Sequence, residues 1–372
     1  MDFALSEEQG LLIASLRRFL EAECPVTRVR ELVAEQPGHD GGAWKALCEL
    51  GVGGLLVPEE HGGSGLAMLD AALAAESLAW GVAPGPFLGS AVMAPIALRA
   101  AGSAQQQAHW LPRLATGQCR FAVAANELVS RRDGAGVALK DGRLHGLALM
   151  VIDGIDADQL LVPVDEGRSL ARIDARAAGV VSTPLRTIDR TRGFAEIKLD
   201  GARVDEWIGE PGGAGQACRR MLDAARIALA ADILGASERA LELAVAYALQ
   251  RKQFDRVIGS FQAVKHLCAE MVTELEPARS LVWYAAHAFD AVPEEASLMA
   301  LHAKAHLSEI GSWLVRTATE VHGGVGFTDE QNLHYWFKRV GVSRPLLGSP
   351  EMLREQAARL QGWIASPGGL PA

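Results

Sequence analysis

The chain has 372 residues, of which 49% are hydrophobic and 22% charged, a balance typical of globular proteins that excludes an intrinsically disordered chain. The formal net charge of −9 disfavours nucleic acid as a partner. The five cysteines are scattered and contain no C-x-x-C pair, which disfavours both a disulfide framework and a zinc site and is typical of a reducing cytoplasm.

The sequence also bears on location. The acidic residues Asp2, Glu7 and Glu8 occupy the N-terminal stretch where a signal peptide carries basic and then apolar residues. No uninterrupted apolar run approaches the length of a bilayer-spanning helix. We therefore expect a cytoplasmic protein without a membrane span.

Residues 1–118 are predicted to form an N-terminal helical domain. Ser6 and Gln9 have capping-box spacing at the start of the segment LSEEQGLLIASLRRFLEAECP, and Pro25 ends it. The alanine-rich segments MLDAALAAESLAWG and APIALRAAG predict further helices, each ending at glycine. Alanine on several helix faces permits close contact, so a packed bundle is expected.

Residues 119–210 are predicted to form a middle β domain, and residues 211–372 a C-terminal helical domain. The segments RFAVAA, LLVPV and AEIKLDGARV are short and β-rich, and turn dipeptides such as Asp141-Gly142 separate such segments. A helical stripe at spacings of three and four residues follows in the last third of the chain: Leu307, Ile310, Leu314, Thr317 and Val321. Helices, then strands, then helices, without βαβ alternation, predict an α+β fold and disfavour a doubly wound nucleotide-binding fold.

Three motif-like stretches are better interpreted as structure. GEPGGAG (209–215) lacks G-x-G-x-x-G spacing and is interpreted as a hinge loop between the β domain and a helix. EEHGGSG is followed by neither Lys-Ser nor Lys-Thr, so it is not a P-loop. His302 and His306 are four residues apart on a predicted helix, but Ala303 replaces the glutamate of H-E-x-x-H, so no metal site is predicted.

Two stretches carry the residue types of a cofactor site. YALQRKQFDRVIGSFQAVKH (247–266) combines a cation, amides and aromatics around a turn expected near Gly259. A planar guanidinium with several donors suits phosphate oxygens, and Phe254 and Phe261 can pack on flat rings. In EVHGGVGFTDE (320–330), three glycines within four positions indicate close backbone approach. Together the two stretches predict a cradle for a cofactor with a pyrophosphate and aromatic rings.

With these stretches the sequence resembles the acyl-CoA dehydrogenase family over nearly its whole length. The run R-x-x-F-x-x-x-I-x-x-F-Q-A-V-K-H matches from Arg251 to His266, and H-G-G-x-G-F matches from His322 to Phe327. GVGGLLVPEEHGGSG resembles the family's N-terminal signature, and WLPRLATGQ the segment that leads into its β domain. The resemblance implies a helical–β–helical subunit that binds FAD and acyl-CoA, in a homo- or hetero-oligomer, with electron-transfer flavoprotein or a similar acceptor.

The resemblance also assigns site residues. One group, from one subunit, would meet the FAD nucleotide: Arg251, Gln253, Phe254, Phe261 and Gln262. A second group would approach the same FAD from a neighbouring subunit: Glu320, Gly323 and Gly324. Asp223 and Arg226, in LDAAR, match positions that line the acyl-CoA site. Family members mostly have glutamine at the position of Glu320 and glycine at that of Asp255.

The family reaction is α,β-desaturation of an acyl-CoA thioester, in which a glutamate removes the α-proton and the flavin takes the β-hydride. That glutamate occurs at one of two positions, and this chain has Leu347 at one and Ala225 at the other. The family's flavin-contacting loop T-E-P-G-A-G-S-D reads NELVSRRD here. Met150 and Ile152 replace the aromatic and the threonine that wall the flavin. The nucleotide half of the site is therefore kept, whereas the half for the isoalloxazine ring departs from the family.

Three functions are open on this basis. The chain is one subunit of a heteromeric acyl-CoA dehydrogenase whose partner supplies the base, or it is a self-sufficient dehydrogenase with a displaced base. Glu351 and Glu127 are the nearest candidates for such a base. In the third, the chain keeps the fold for a structural or CoA-ester-binding role without redox chemistry, since a fold alone does not confer function. Fatty, dicarboxylic, aromatic and steroid side-chain thioesters all fit the sequence.

Overall fold

The computed structural model describes residues 4–35, 40–130 and 132–364. Its first layer is helical: α1 (Glu7–Glu23), α2 (Val26–Glu35), α3 (Gly41–Glu49), α4 (Met68–Trp80), α5 (Ala94–Ala101) and α6 (Ala104–Ala115). The predicted capping box at the start of α1 is confirmed. The Gln9 backbone N–H donates to Ser6 Oγ at 3.2 Å, and the Ser6 N–H donates to Gln9 Oε1 at 3.0 Å.

The second layer is a mixed sheet with the strand order β6–β7–β3–β1–β4–β5–β8, and β2 pairs with β3. Its strands are β1 (Phe121–Val123), β2 (Gly136–Lys140), β3 (Arg143–Ile152), β4 (Gln159–Val164), β5 (Ser169–Asp174), β6 (Val180–Pro184), β7 (Phe194–Arg203) and β8 (Glu206–Trp207). β1 and β4 are parallel, and the other paired strands are antiparallel. Asp141 and Gly142 both have positive φ, 49° and 72°, and form the predicted turn between β2 and β3.

The third layer returns to helices: α7 (Gly215–Gln250), α8 (Gln262–Ala291), α9 (Pro293–His322), α10 (His334–Ser343) and α11 (Pro350–Leu360), with a small hairpin, β9 (Lys252–Gln253) and β10 (Arg256–Val257), between α7 and α8. α7 is central and packs against α4, α8, α9 and α10. The stripe from Leu307 to Val321 is buried on α9, as predicted. The helical–β–helical order and the α+β class are confirmed, and the domain boundaries at 118/119 and 210/211 stay predictions.

The described residues also bear on membrane insertion and on metal binding. Within these ranges, no helix is both long and apolar enough to cross a bilayer. The same ranges contain no group of three or more His, Cys, Asp or Glu side chains arranged to hold a metal ion. His302 and His306, which have a metal-like spacing, are thus not part of such a group.

A buried cluster of ionised side chains joins the three layers at Asp232 of α7. Arg339 of α10 donates through Nε and its second terminal nitrogen to Asp232 Oδ2 at 2.9 and 2.7 Å. Arg192, just before β7, pairs with Oδ1 of the same carboxylate. Arg339 also donates to the carbonyl oxygen of Ala83, in the first layer, at 3.0 Å. This ion-pair cluster (Arg192, Asp232 and Arg339) therefore fixes how the layers meet.

Gly235 lets α7 approach α4 closely, because a Cβ at this position would lie 1.9 Å from the carbonyl oxygen of Glu76. We expect Gly235→Ala to lower the free energy of unfolding by about 1–3 kcal/mol, since the two helices must move apart. Gly10→Ala is a matched control, because open space surrounds the Cβ position of Gly10 on α1, and alanine there should stabilise by about 0.5–1 kcal/mol. Urea unfolding measures both changes. A Gly235→Ala protein as stable as the wild type would contradict the close approach.

Candidate functional site

The connection between α7 and α8 is a hairpin whose turn lies at Phe254 and Asp255, and not near Gly259 as expected. Both turn residues have positive φ, 52° and 62°, between the paired strands β9 and β10. Such turns normally use asparagine, aspartate or glycine at both positions, so Phe254 concealed the turn in the sequence. Gly259 instead lies in a short 3₁₀ segment after β10, where its Cβ position is 3.0 Å from the carbonyl oxygen of Ala248.

The hairpin presents its polar and aromatic side chains to solvent. Arg251 follows the last residue of α7 and is exposed, and its backbone N–H donates to the Tyr247 carbonyl oxygen at 2.9 Å. Gln253 is exposed as well. The Phe254 side chain is 85% exposed, and its ring meets Phe261 edge-on with the centroids 6.1 Å apart. An aromatic ring left this open beside an exposed guanidinium indicates a surface that a ligand or another chain covers.

The start of α8 adds further groups to this surface. Phe261 is the N-cap of α8, and Gln262 is its first residue and is exposed. The Arg256 guanidinium lies over the Phe261 ring, 4.0 Å from its centroid. The first N–H groups of a helix favour a negative charge in front of them. Cationic, aromatic and amide groups thus converge at the junction of α7 and α8.

The glycine turn after α9 leaves two of its three glycines open. Gly323 has φ 64° and ψ −146°, a region that glycine adopts readily and other residues do not. Gly324 has no such backbone requirement, and no atom of the described chain lies within 4 Å of its Cβ position. Gly326 serves internal packing, because its Cβ would lie 2.8 Å from the Thr319 carbonyl oxygen. Glu320 is exposed one turn earlier. The surface at Gly323 and Gly324 is therefore open, and a group from outside the chain has room to approach the backbone there.

His322 brings the glycine turn against the end of α7. Its ring stacks on Tyr247, with the centroids 4.6 Å apart and the planes 23° apart, and its Nδ1 lies 2.8 Å from the Ala318 carbonyl oxygen. Burial lowers the pKa of His322, which favours the neutral ring. Tyr247 precedes Arg251 by one helical turn, and His322 adjoins Gly323.

The two groups that were expected to come from different subunits therefore lie at the same end of the helical layer in a single chain, because α7 and α9 pack side by side. The sequence could not show this, since the Tyr247–His322 contact joins residues far apart along the chain. We call this surface the bundle-end face: Arg251, Gln253, Phe254, Phe261, Gln262, Glu320, Gly323 and Gly324.

Asp223 and Arg226 lie in the interior, with 7% and 6% of their surface exposed. The Arg226 guanidinium is 3.6 Å from the Asp223 carboxylate and donates to the Leu347 carbonyl oxygen at 3.2 Å and to Gln356 Oε1 at 3.1 Å. Ser297 donates to Asp223 at 2.5 Å. Burial raises the pKa of Asp223 and lowers the pKa of Arg226. Arg226 thus ties α7 to the turn that contains Leu347.

A buried lysine, which the sequence reasoning missed, ties the other end of the same turn. Lys304 of α9 has no exposed surface, and its Nζ donates to Ser308 Oγ at 2.9 Å and to the Arg344 carbonyl oxygen at 3.1 Å. Burial, and then the nearby Arg226, lower the pKa of Lys304 to about 7. Lys304 lies three residues before Leu307 on the buried stripe of α9, and this spacing was the signal that could have revealed it.

The comparisons with known proteins agree on one family. The model of the acyl-CoA dehydrogenase N-terminal domain matches residues 6–118, and that of the C-terminal domain matches residues 212–361. The acyl-CoA dehydrogenase IpdE2 of Mycolicibacterium smegmatis is 32% identical over 361 residues, which cover 97% of this chain and 100% of that protein. The chain belongs to the acyl-CoA dehydrogenase family. It is thus a member of a family of FAD-dependent oxidoreductases that act on the CH–CH bond of acyl-CoA thioesters.

Two similar solved structures bear on assembly. The ChsE4–ChsE5 complex from Mycobacterium tuberculosis gives a TM-score of 0.89 at 27% identity, covering 98% of this chain and 100% of that chain. A steroid ACAD variant, Tcur3481–Tcur3483, gives a TM-score of 0.86 at 28% identity, covering 96% of this chain and 98% of that chain. The name of each of these two proteins joins two designations, ChsE4 with ChsE5 and Tcur3481 with Tcur3483.

The bundle-end face fits the nucleotide part of FAD, the cofactor of acyl-CoA dehydrogenases. Arg251 offers an exposed guanidinium for pyrophosphate oxygens, and Phe254 and Phe261 offer flat apolar surface. The open space at Gly324 leaves room for close approach. Asp255 has a left-handed backbone, with φ 62°, a conformation that glycine adopts readily.

The positions expected to wall the flavin ring offer less open surface. Ile152 is 1% exposed, and Met150 is half-buried with a φ of 50°. Glu127 accepts the Leu149 N–H at 2.7 Å beside a cavity of about 220 Å³, and burial raises the pKa of Glu127. Of the three residues expected near the flavin ring, Ile152 is thus buried, Met150 is half-buried, and Glu127 is half-buried and bonded within the chain.

The two residues that the resemblance places at the family's base positions, Leu347 and Ala225, are apolar and buried. Leu347, with φ 56°, and Ala225 each have no exposed surface. Glu351, the nearest carboxylate after Leu347, is exposed and pairs with Arg344 at 3.3 Å. A hydrogen bond from Ser349 lowers the pKa of Glu351, so it stays ionised in solvent.

Asp153 is a buried carboxyl group whose ionisation opposes folding. Its Oδ2 accepts the Gly89 N–H at 2.6 Å, and burial raises the pKa of Asp153 to about 7 from about 4 in an unfolded chain. Between these values the folded state binds the extra proton, so the free energy of unfolding falls as the pH rises. We expect Asp153→Asn to stabilise the protein by about 2 kcal/mol more at pH 7 than at pH 5, as measured by urea unfolding.

The exposed Asp156, three residues further along, provides the control as Asp156→Asn. It also has a left-handed backbone, with φ 56°, which asparagine tolerates. A pH effect of equal size at Asp156, or none at Asp153, would count against a buried neutral carboxyl group at position 153.

Proposed function

We propose that this chain is a subunit of a heteromeric acyl-CoA dehydrogenase. It holds the nucleotide part of FAD at its bundle-end face, and a partner chain of the same family supplies the catalytic carboxylate. The observation that carries the proposal is the combination of an open bundle-end face with buried Leu347 and Ala225. A base must reach the proton that it removes, and neither position offers a carboxylate or surface to a substrate.

When bound, FAD supplies the hydride acceptor for α,β-desaturation of the thioester. The residues of this chain bind and orient the nucleotide part of the cofactor. Arg251 donates to phosphate oxygens, and the glycine turn admits a close backbone contact at Gly324. In the interior, Arg226 and Lys304 keep the turn around Leu347 packed against the helices and so exclude water from it.

Exposed apolar side chains beside the bundle-end face support a second chain there. Phe327, directly after the glycine turn, is 80% exposed, and Leu249, at the end of α7, is 64% exposed. Large apolar side chains that cluster at a surface mark contact sites. The ChsE4–ChsE5 and Tcur3481–Tcur3483 structures support an assembly of two unlike chains. We take steroid-derived thioesters as the first substrate class to test, because the latter is a steroid ACAD.

The test is to purify the chain alone and together with an acyl-CoA dehydrogenase-family chain encoded beside it. Flavin absorbance and thioester-dependent reduction of an electron acceptor should appear at full level only in the co-purified protein. A homomer with full activity would overturn the proposal. In that case Glu127→Gln and Glu351→Gln would identify a displaced base. A colourless, inactive protein in both preparations would also overturn the proposal, and would favour a structural or CoA-ester-binding role.

Gly324→Val tests whether the glycine turn faces a ligand. Gly324 is exposed and no described atom outside its chain neighbours lies within 4 Å of its Cβ position, so the free energy of unfolding should change by about 0.5 kcal/mol or less. FAD retention should fall about tenfold or more, because the side chain occupies the space left for the cofactor. Flavin content after gel filtration and the melting temperature give the two readouts. Gly10→Val, on exposed α1, is the control that should retain flavin, and full flavin in Gly324→Val would contradict an external approach at this turn.

A further inference from the structure

The hydrogen bonds of Lys304 match an uncharged amine. An ammonium group has three N–H donors, whereas a neutral amine has two. The described structure shows two acceptors at Nζ, Ser308 Oγ and the Arg344 carbonyl oxygen. The Ser308 hydroxyl donates its own proton to the Lys304 carbonyl oxygen, at 2.7 Å, so its oxygen is able to accept from Nζ. A third proton on this buried nitrogen would lack a partner, which is costly in the interior.

The charges around Lys304 also disfavour a cation. Arg226 of α7, Arg192 before β7 and Arg344 after α10 all repel a positive charge there, and Asp232 of α7 attracts it. Asp232 is already paired with Arg192 and with the other arginine of the ion-pair cluster. Protonation would therefore add an unpaired cation among arginines, at the place where α9 is bonded to the turn that follows α10.

The geometry points to Lys304 as a positioning residue: in its neutral form it holds the Arg344–Gly348 turn against α9 and α7, and its protonation releases this turn. Lys304 donates to the Arg344 carbonyl oxygen, which also lies 3.5 Å from Ser308 Oγ, and Arg226 donates to the Leu347 carbonyl oxygen. Release of the turn therefore removes the Leu347 carbonyl oxygen as a partner of Arg226, which keeps Asp223 and Gln356 and which the family resemblance places at the thioester site. This last link rests on the proposed function, whereas the release of the turn does not.

Hydrogen exchange of the Leu346–Gly348 amides in the purified full chain, followed from pH 6 to pH 8, tests the proposal. One pH unit below its midpoint, the charged form outnumbers the neutral form about tenfold. After correction for intrinsic exchange, we expect protection of the turn to fall about tenfold between pH 8 and pH 6. Protection that is equal at both pH values would overturn the proposal and leave the heteromer untouched, whereas a fully active homomer would overturn the heteromer alone.

Variants separate positioning from packing. Lys304→Met keeps the apolar stem but removes both hydrogen bonds, so the turn should exchange faster at pH 8 and lose its pH dependence. Lys304→Gln supplies two amide donors that do not titrate, and should restore part of the protection at both pH values. Lys265→Met, on an exposed face of α8, is the control and should behave as the wild type. A pH dependence that persists in Lys304→Met would assign the effect to another group and overturn the proposal.

Discussion

Replacing Arg251 with methionine is expected to weaken FAD binding about 10- to 100-fold, while the protein stays folded. Arg251 is exposed just after α7, so its removal leaves no buried group without a partner. The loss of a charge-assisted hydrogen bond to phosphate costs about 1.5–3 kcal/mol, which corresponds to that loss in affinity. Titration of the flavin-depleted protein with FAD, followed by flavin fluorescence, measures the change. Arg251→Lys keeps the charge but lacks the planar guanidinium, so its affinity for FAD should lie between those of the wild type and Arg251→Met.

Arg18, exposed on α1, provides the control for this experiment as Arg18→Met. Both changes remove one positive charge, so any general effect of net charge on an anionic cofactor is shared by them. A higher salt concentration should reduce the difference in FAD affinity between the wild type and Arg251→Met, since salt screens ionic contacts at a surface. Equal FAD affinity in the Arg251 and Arg18 variants would remove Arg251 from the cofactor site.

The elements that the sequence predicted are those fixed by local chemistry. The capping box at Ser6 and Gln9 and the buried stripe of α9 depend on residues within a few turns of each other, and both are present. The hairpin after α7 was missed because Phe254 occupies a turn position that asparagine or glycine normally fills. The fold places Phe254 in a left-handed backbone conformation that its residue type does not predict.

The candidate site likewise combines features that local sequence predicts with features that depend on the tertiary structure. The apolar residues Leu347 and Ala225 at the expected base positions could be recognised from local motifs alone. The burial of Leu347 could not, since its turn is bonded to Arg226 and Lys304 from separate helices. The Arg251 run and the glycine turn were expected to meet FAD from two subunits, and this expectation did not include their proximity within one chain. Only the folded chain shows that α7 and α9 end side by side.

Arg339→Met is expected to have the largest effect on stability, about 3–5 kcal/mol of unfolding free energy, because it leaves a buried carboxylate with one partner fewer. Burial alone would raise the pKa of Asp232, but Arg192 and Arg339 outweigh it and hold this pKa below its ordinary value. The variant also leaves the Ala83 carbonyl oxygen without the Arg339 donor. Urea unfolding near pH 7 measures the loss, and the first layer should detach from the other two more readily, which limited proteolysis detects.

The pH dependence of this loss identifies its cause. Because the pKa of Asp232 is depressed in the folded state, the stabilisation is present above the unfolded value, about 4, and is lost as the pH falls through the folded value. The difference in the free energy of unfolding between the wild type and Arg339→Met should therefore decrease below about pH 4. Lys45→Met removes an exposed pair with Glu49, 3.9 Å apart, and should cost about 0.5 kcal/mol or less. If Arg339→Met cost no more than this control, the ion-pair cluster would not be what fixes the three layers, and their packing would have to rest on the apolar contacts of α7 alone.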